Sequence, residues 1–386
     1  MGSGLLGIGS SALLSYQRAL DTIGHNVANV NTPGYTRQQA ELAARPGQGH
    51  GFGFLGAGVD VTTIQRNYNQ FLTSDLRTSS TDYHDVEVMA ELSGGLDNLL
   101  ADESAGLNPV LGSWFDAIQG VANDPTSSAA RQVLLSEANT LASRFQVLDD
   151  RLNDARQGLG VRMSAKVDDL NFYARDIASV NQQIIEAGGS ANGQPPNDLL
   201  DKRDQLVLEL SEIVSISTTT QDNGAMYVFI GSGQSLVLGI DHSTVGQLAR
   251  PGDPGQVDIT IGAAGTPPVV ITDLVKGGEL GGMLRFRDQV LDPAVNEMGR
   301  LAIELGTFMN EQHRAGVTLS GMPGQDVFTV ASPQVVPYPG NGGTVSVAFD
   351  DVSQLTAEDY RLDYDGSNWV LSNTGNGQVV PMTGTG

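Results

Sequence analysis

Apolar residues in the first thirty positions repeat every seven and then stop. Leu6, Leu13, Leu20 and Val27 hold one heptad position, and Gly9, Tyr16, Ile23 and Val30 hold the other. That is the a/d spacing of a helix built to lie along another helix. The stop is Ala28-Asn29-Val30-Asn31-Thr32-Pro33-Gly34-Tyr35. Thr32 precedes a proline and is pushed out of the α region, while Pro33-Gly34 suit the central positions of a type II turn. The pattern predicts a helix over Leu6 to Val30, closed by a turn of Asn29 to Tyr35. An apolar stripe is ordinarily plain core. This one stands at the N-terminus, ahead of a hard turn, with no antiparallel helix next to it, and a lone helix in water is marginal. The stripe of Leu6, Leu13, Tyr16, Leu20, Ile23, Val27 and Val30 therefore needs a partner.

Composition excludes several partners. Lys and Arg total 21 against 44 Asp and Glu, a formal charge of −23. Such a surface repels phosphate backbones and anionic lipids, so nucleic acid and membrane are poor partners. No apolar run reaches the roughly 18 residues of a bilayer span, and no basic stretch followed by an apolar core marks a Sec signal. Cysteine is absent, which removes disulfides, thiol nucleophiles and zinc–thiolate sites. Its absence also suits a chain that crosses an oxidising space or an export channel unfolded.

The 386 residues allow two or three domains. After the turn come a loop through Arg45-Pro46-Gly47 and Gly49-His50-Gly51-Phe52-Gly53-Phe54, and a short strand over Val59 to Ile64. A helix starts near Asn69 with Leu72, Leu76, Tyr83, Val86 and Met89 on one face, interrupted at Gly94-Gly95. Leu107, Leu111, Trp114, Ile118 and Val121 mark another helix. Asp124-Pro125 reads as the capped start of a very long one, whose periodicity runs from Val133 to Ile184 and ends at Gly188-Gly189. A capped helix follows from Asn197 to about Ile213. Ile216 to Thr218, Met226 to Ile230, Ser235 to Leu238, Val257 to Ile261 and Val269 to Ile271 are strand-like, with turns at Asp222-Asn223-Gly224 and Gly231-Ser232-Gly233. Helix returns after Gly281-Gly282, with a kink or a fresh start capped by Asp292 ahead of Pro293. From Asp326 the chain is glycine-rich, with alternation over Val345 to Phe349 and a hairpin of Tyr360 to Tyr364 with Trp369 to Leu371 across Asp365-Gly366. The fold class is α+β multidomain: a coiled-coil-type N-terminal helix, a long-helix bundle with a small β insertion, and a β-rich domain.

Signals for chemistry are weak. His25, His50, His84, His242 and His313 have no metal-ligand spacing. Gly231-Ser232-Gly233 starts like a dinucleotide fingerprint but leads into a strand. Asp363 to Asn368 has its glycine at the wrong place for a calcium loop. Asp149-Asp150 and Asp168-Asp169 fit a solvated helix face, although distant carboxylates could still meet as a glycosidase pair. The reading is of a non-enzyme without cofactor or metal.

The stretch from Ala28 through Tyr35-Thr36-Arg37 resembles the N-terminal signature of bacterial flagellar axial proteins, the rod, hook and hook-associated families. Pro196-Asn197-Asp198-Leu199-Leu200-Asp201-Lys202-Arg203-Asp204-Gln205-Leu206 and Gly278-Glu279-Leu280-Gly281-Gly282-Met283-Leu284-Arg285-Phe286-Arg287-Asp288 narrow the likeness. With the long helix between them they resemble the hook-associated protein 1 family, the first hook–filament junction proteins. The likeness runs from about Leu5 to Gln325 and, more weakly, from Tyr360 to Leu371.

The resemblance implies an inner-tube helix and turn over residues 1–35, a helical bundle over 36–325 with its β insertion around 214–272, and an outer β-rich domain over 326–386. It implies a second, C-terminal amphipathic helix that pairs with the first; none is present, so the chain reads as truncated. It implies a structural adaptor joining hook to filament. Its partners would be copies of itself in a ring, the hook protein, the second hook-associated junction protein, and an export chaperone held through the missing C-terminal part. Its place would be the extracellular flagellum, reached through the flagellar type III channel. Alternatives are another axial protein of hook or rod type, a secreted glycan hydrolase using carboxylates, and a surface adhesin.

Overall fold

The computed structural model describes residues 3–50, 53–102, 106–188, 194–263 and 265–382. The heptad segment forms helix α1 (Ser3–Ala28). It stops two residues short of Val30, which the spacing assigned to the helix and which lies in the turn. The chain then runs out as β1 (Gln38–Ala44), makes a small hairpin of β2 (Gln48–His50) and β3 (Gly53–Leu55), and returns as β4 (Val59–Arg66). β1 and β4 pair antiparallel from Gln38↔Arg66 to Ala44↔Val59, with a bulge between Glu41 and Leu42. The sequence predicted a loop in place of β1, because Gln38 to Ala44 carry no β-branched residue; pairing with β4 imposes the strand. The glycine-rich stretch read as loop is the β2–β3 hairpin, with Gly51 and Phe52 outside the described residues.

Helix α2 (Gln70–Leu100) starts under Asn69, whose Oδ1 accepts from the amides of Phe71 and Leu72. It passes through Gly94-Gly95 without a break. Each glycine costs about 1 kcal/mol in a helix, but Val88 and Leu96 are buried on either side and hold the segment helical. On the apolar face read from the sequence, Leu72, Leu76, Tyr83 and Val86 are exposed and Met89 is half-buried. Helix α3 (Asn108–Asn123) buries Trp114. Asp124 closes α3, and Ser127 caps the next helix, its Oγ accepting from the Ala130 amide. Asp124-Pro125 is therefore not the helix start that the pattern indicated. Helix α4 (Ser128–Glu186) has 59 residues, about 90 Å at helical rise, and runs uninterrupted through Gly158 and Gly160. Helix α5 (Asn197–Ile213) follows. Gly189, part of the predicted stop of α4, lies outside the described residues.

β5 (Ile216–Thr220), β6 (Met226–Ile230), β7 (Gln234–Leu238) and β8 (Asp241–His242) form an antiparallel sheet in chain order. Its first two turns are those predicted, with Gly224 and Gly231 at positive φ. β9 (Thr244–Arg250), β10 (Asp253–Gly262) and β11 (Val269–Val270) form a second sheet, in the order β11-β10-β9. β8 and β9 carry too little alternation to have been foreseen. Helix α6 (Gly278–Phe286) begins before Gly281-Gly282, not after them. A π-helical turn, Arg287–Leu291, joins it to α7 (Asp292–Arg314). Pro293 stands in the first turn of α7, directly after the π turn; Leu291, not Asp292, holds the cap position. Residues 345–349 form no strand, since their alternation meets no pairing partner. β12 (Tyr360–Tyr364), β13 (Trp369–Asn373) and β14 (Val379–Val380) form a three-stranded sheet whose first turn is the expected Asp365-Gly366.

The chain divides into two compact units. The first is Met1–Val86, Ser164–Leu248 and Asp258–Gly282. Its buried side chains come from α4 (Leu170, Ile177, Ile184), α5 (Val207, Leu210) and the β insertion (Val228, Ile230, Leu236, Ile259). The second is Glu87–Met163, Ala249–Val257 and Met283–Gly386. One core cluster there is Val110, Trp114, Ala138 and Leu141, covered by Leu107, Leu111, Ile118, Phe145, Met309 and Phe328.

Candidate assembly helix and its mount

Helix α1 is docked by its polar side. Ser11, Ser15 and Thr22 are 4%, 2% and 7% exposed, whereas the predicted ridge ranges from 56% (Ile23) to 77% (Leu6). Leu13, Tyr16, Leu20 and Val27 fall within that range, and Val30, in the turn, is as open. The buried side faces the β1–β4 hairpin: the Val59 amide donates to Ser11 Oγ, and Ser15 Oγ donates to the Val59 carbonyl, both at 3.3 Å. Gly58, at φ +96°, lets the strand pass this closely, since a Cβ there would lie 2.1 Å from Ser11 Oγ. At the far end Asn26 copies a strand partner. Its Nδ2 donates to the Gln38 carbonyl and its Oδ1 accepts the Gln38 amide, both at 2.8 Å.

The turn closes as its sequence predicts. The Tyr35 amide donates to the Thr32 carbonyl (3.2 Å) across Pro33-Gly34, with Gly34 at φ +76°. Asn29 donates to the His25 carbonyl through both its backbone amide (3.1 Å) and its Nδ2 (3.0 Å), and its Oδ1 accepts Thr32 Oγ1. Asn31 and Pro33 are exposed. Tyr35 folds back over the helix end: its hydroxyl donates to Asn26 Oδ1 (2.8 Å), and its ring meets His25 edge-on at 5.5 Å. Burial first, and then the carboxylates of Asp198 and Asp201, raise the Tyr35 pKa above the usual phenol value, so the hydroxyl keeps its proton.

The hairpin is in turn fastened to α5 through the second signature. Asp201 accepts from the Thr36 amide (2.9 Å), from Thr36 Oγ1 and from Arg66 (2.9 Å). Asp204 accepts from Arg66 (2.6 Å) and from Arg77 of α2 (3.1 Å). Gln38 Nε2 reaches Asp198 and Asn197 Nδ2 reaches the Ile64 carbonyl. Arg203 points the other way, buried, donating to the Gly224 carbonyl (2.6 Å) and to Asn181 Oδ1. Its burial lowers the guanidinium pKa. Asn181 donates to the Met226 and Gly239 carbonyls and accepts the Met226 amide, tying α4 to the sheet.

The third signature is a close-packing device. A Cβ on Gly278 would lie 2.4 Å from the Ile213 carbonyl carbon, and one on Gly282 would lie 2.6 Å from the Asp85 carbonyl oxygen. Between them Glu279 pairs with Lys166 at 2.9 Å. The anchoring residues that sequence reasoning missed are Ser11, Ser15, Thr22, Asn26, Gly58, Arg66 and Arg77. A signal existed for the first four: small polar residues at intervals of four, seven and four, in the same frame as the ridge.

Nothing in the described residues gathers three or more metal-ligating side chains, and no helix there is long and apolar enough to cross a membrane. A cavity of about 20 Å³ beside Arg156, Gln256, Arg287 and Asp292 has room for one water and for no substrate. Asp292 accepts from Arg156 (2.7 Å) and Gln256 (2.6 Å), yet its burial outweighs the ion pair and raises its pKa.

Comparison with known proteins places this architecture. A family model described as "Flagellar hook-associated protein FlgK helical domain" matches residues 93–328, and one described as "Flagella basal body rod protein" matches residues 6–36. "Flagellar hook-associated protein 1" of Escherichia coli (strain K12) is 32% identical over 385 residues, covering 99% of this chain and 70% of that protein. Its Salmonella typhimurium counterpart is 34% identical with the same coverage, and that of Bacillus subtilis is 28% identical over 94% of this chain and 75% of its own. The solved flagellar hook junction protein FlgK from Burkholderia pseudomallei is 35% identical with a TM-score of 0.73, over 80% of this chain and 56% of its own. The likeness covers helical domain, N-terminal signature and overall fold together, and the chain belongs to the flagellar hook-associated protein 1 family.

Proposed function

We propose that this chain is a structural adaptor that joins hook to filament in a bacterial flagellum, assembling into a ring through α1. The observation that carries the reading is the outward ridge: Leu6, Leu13, Tyr16, Leu20, Ile23 and Val27 lie on one arc of a helix that the described residues grip along the opposite, polar arc. Large apolar side chains left open in register along a whole helix mark an association surface. Residues 1–35 are the axial element, 36–325 the bundle that holds it and 326–386 an outward-facing part. Neighbouring copies complete the contact, the hook protein lies on one side of the ring and the second hook-associated junction protein on the other. Export runs through the flagellar type III channel, with a chaperone engaging sequence beyond residue 386. The family is structural rather than enzymatic, and the rod-protein match to residues 6–36 alone is a feature shared among axial proteins.

A gene-deletion strain tests this directly. Electron micrographs should show hooks without filaments and detached filaments in the medium, restored by the full-length gene and not by one lacking residues 1–35. Filaments firmly seated on hooks in the deletion strain would overturn the reading.

A further inference from the structure

We infer that the buried polar seam of α1, chiefly Ser15 and Asn26, is a positioning device that holds the helix and fixes which face is turned outward. Apolar burial usually decides how a helix docks, at about 1.5–3 kcal/mol for each large side chain. Between α1 and the hairpin that preference is reversed, because hydroxyls are covered and the ridge is turned away. At about 100° per residue the seam (Ser11, Ser15, Thr22, Asn26) and the ridge are centred roughly 140° apart, so the two cannot both face the hairpin.

Two features of the structure select the seam. The first is steric. Gly58, just before β4, brings the backbone so near that an added Cβ would sit 3.3 Å from the Ile8 Cα. Only short side chains fit between helix and strand at that separation, and a ridge leucine does not. The second is directional. Asn26 makes a paired hydrogen bond with the Gln38 backbone, and Ser15 meets the Val59 carbonyl. Hydrogen bonds at both ends of the seam set the roll of the helix, which an apolar contact alone would leave loose. Tyr35 and Thr22 reinforce it locally, the tyrosine by donating to Asn26 Oδ1 and the threonine by turning its hydroxyl onto the Arg18 carbonyl, so that its own donor is paired. Ser15 and Asn26 are thus positioning residues for a contact that they do not themselves make.

The inference rests on the assembly reading only for what the ridge is turned outward to meet. Its test is made on the isolated chain, so it holds or fails independently of whether junctions form in cells. The chain has no cysteine, which permits single reporters: Leu20→Cys on the ridge and Ala19→Cys beside the seam, where the residue is half-buried. The measured quantity is the ratio of their alkylation rates by iodoacetamide. In the parent chain the ridge thiol should react much the faster. In Ser15→Ala/Asn26→Ala the ratio should fall at least about tenfold, a shift of about 1.4 kcal/mol, whether the helix rolls or leaves the hairpin. In Ile23→Ala/Val27→Ala, which trims the ridge and spares the seam, the ratio should hold. A parent ratio near one, a ratio that survives loss of the seam, or one that collapses when only the ridge is trimmed would overturn the inference.

Discussion

Val27→Asp separates the proposed assembly role of α1 from the stability of the rest of the chain. Val27 is 68% exposed, so replacing it removes almost no packing within the chain. The new carboxylate sits in the last helical turn and opposes the macrodipole by about 0.3–1 kcal/mol. Trp114 lies in the other compact unit, so the fluorescence change of its unfolding in urea should keep its midpoint. In the proposed assembled contact the same position would be covered. Losing a buried valine there costs about 1.5–3 kcal/mol, and a desolvated carboxylate without a partner adds several more. A combined penalty of at least about 4 kcal/mol weakens each association about a thousandfold. Carried on the full-length gene, the substitution should leave hooks bare in electron micrographs while the purified chain unfolds as before. Normally seated filaments would refute the role given to the ridge, and a lowered urea midpoint would refute the claim that the ridge is outside the core.

Other substitutions test the mount. Gly282→Ala places a Cβ 2.6 Å from the Asp85 carbonyl oxygen; forcing α2 and α6 apart should destabilise the first unit by about 1–3 kcal/mol, seen as a lower urea midpoint in far-UV circular dichroism. Asp204→Ala leaves the largely buried guanidinium groups of Arg66 and Arg77 short of their shared carboxylate. A loss of about 3–5 kcal/mol is expected, with faster amide exchange in β4, and unchanged exchange would show that the cluster does not hold the hairpin. Asp292 predicts a pH effect of definite sign. Its folded pKa lies above the ordinary carboxylate value, so as pH falls from neutrality the folded state takes up this proton before the unfolded state does. That contribution favours folding until the ordinary value is reached. As pH falls from neutrality toward the ordinary carboxylate value of about 4, the parent should therefore gain more stability, or lose less, than Asp292→Asn. Equal pH profiles in urea unfolding would count against a buried, charge-disfavoured Asp292.

Local chemistry was the legible part of the sequence. Pro33-Gly34 permits few backbone paths, and the turn forms as its residue types require. Trp114 with its neighbours at helical spacing, and the hairpin at Asp365-Gly366, likewise needed no distant information. What failed depended on partners far along the chain. Gln38 to Ala44 become a strand only because Val59 to Arg66 lie alongside, and residues 345–349 alternate without any strand to pair with. Gly94-Gly95 could not break a helix whose flanks are buried. The ridge was legible as a ridge, but periodicity is blind to direction. Nothing in the spacing of Leu6, Leu13 and Leu20 says that Ser11 and Ser15 would be the covered side. Asp201 and Asp204 were visible within a motif, whereas their cations, Arg66 and Arg77, are more than a hundred positions away.

The grip of α5 on the segment after α1 has a mechanical side. Thr36, Gln38 and Arg66 are each held by carboxylates of the same short helix, at Asp201, Asp198 and Asp204. A pull along α1 strains these bonds side by side rather than one after another, and links loaded in parallel yield together at a threshold after little stretch. A load entering through the proposed association ridge would thus reach the rest of the first compact unit almost without slack.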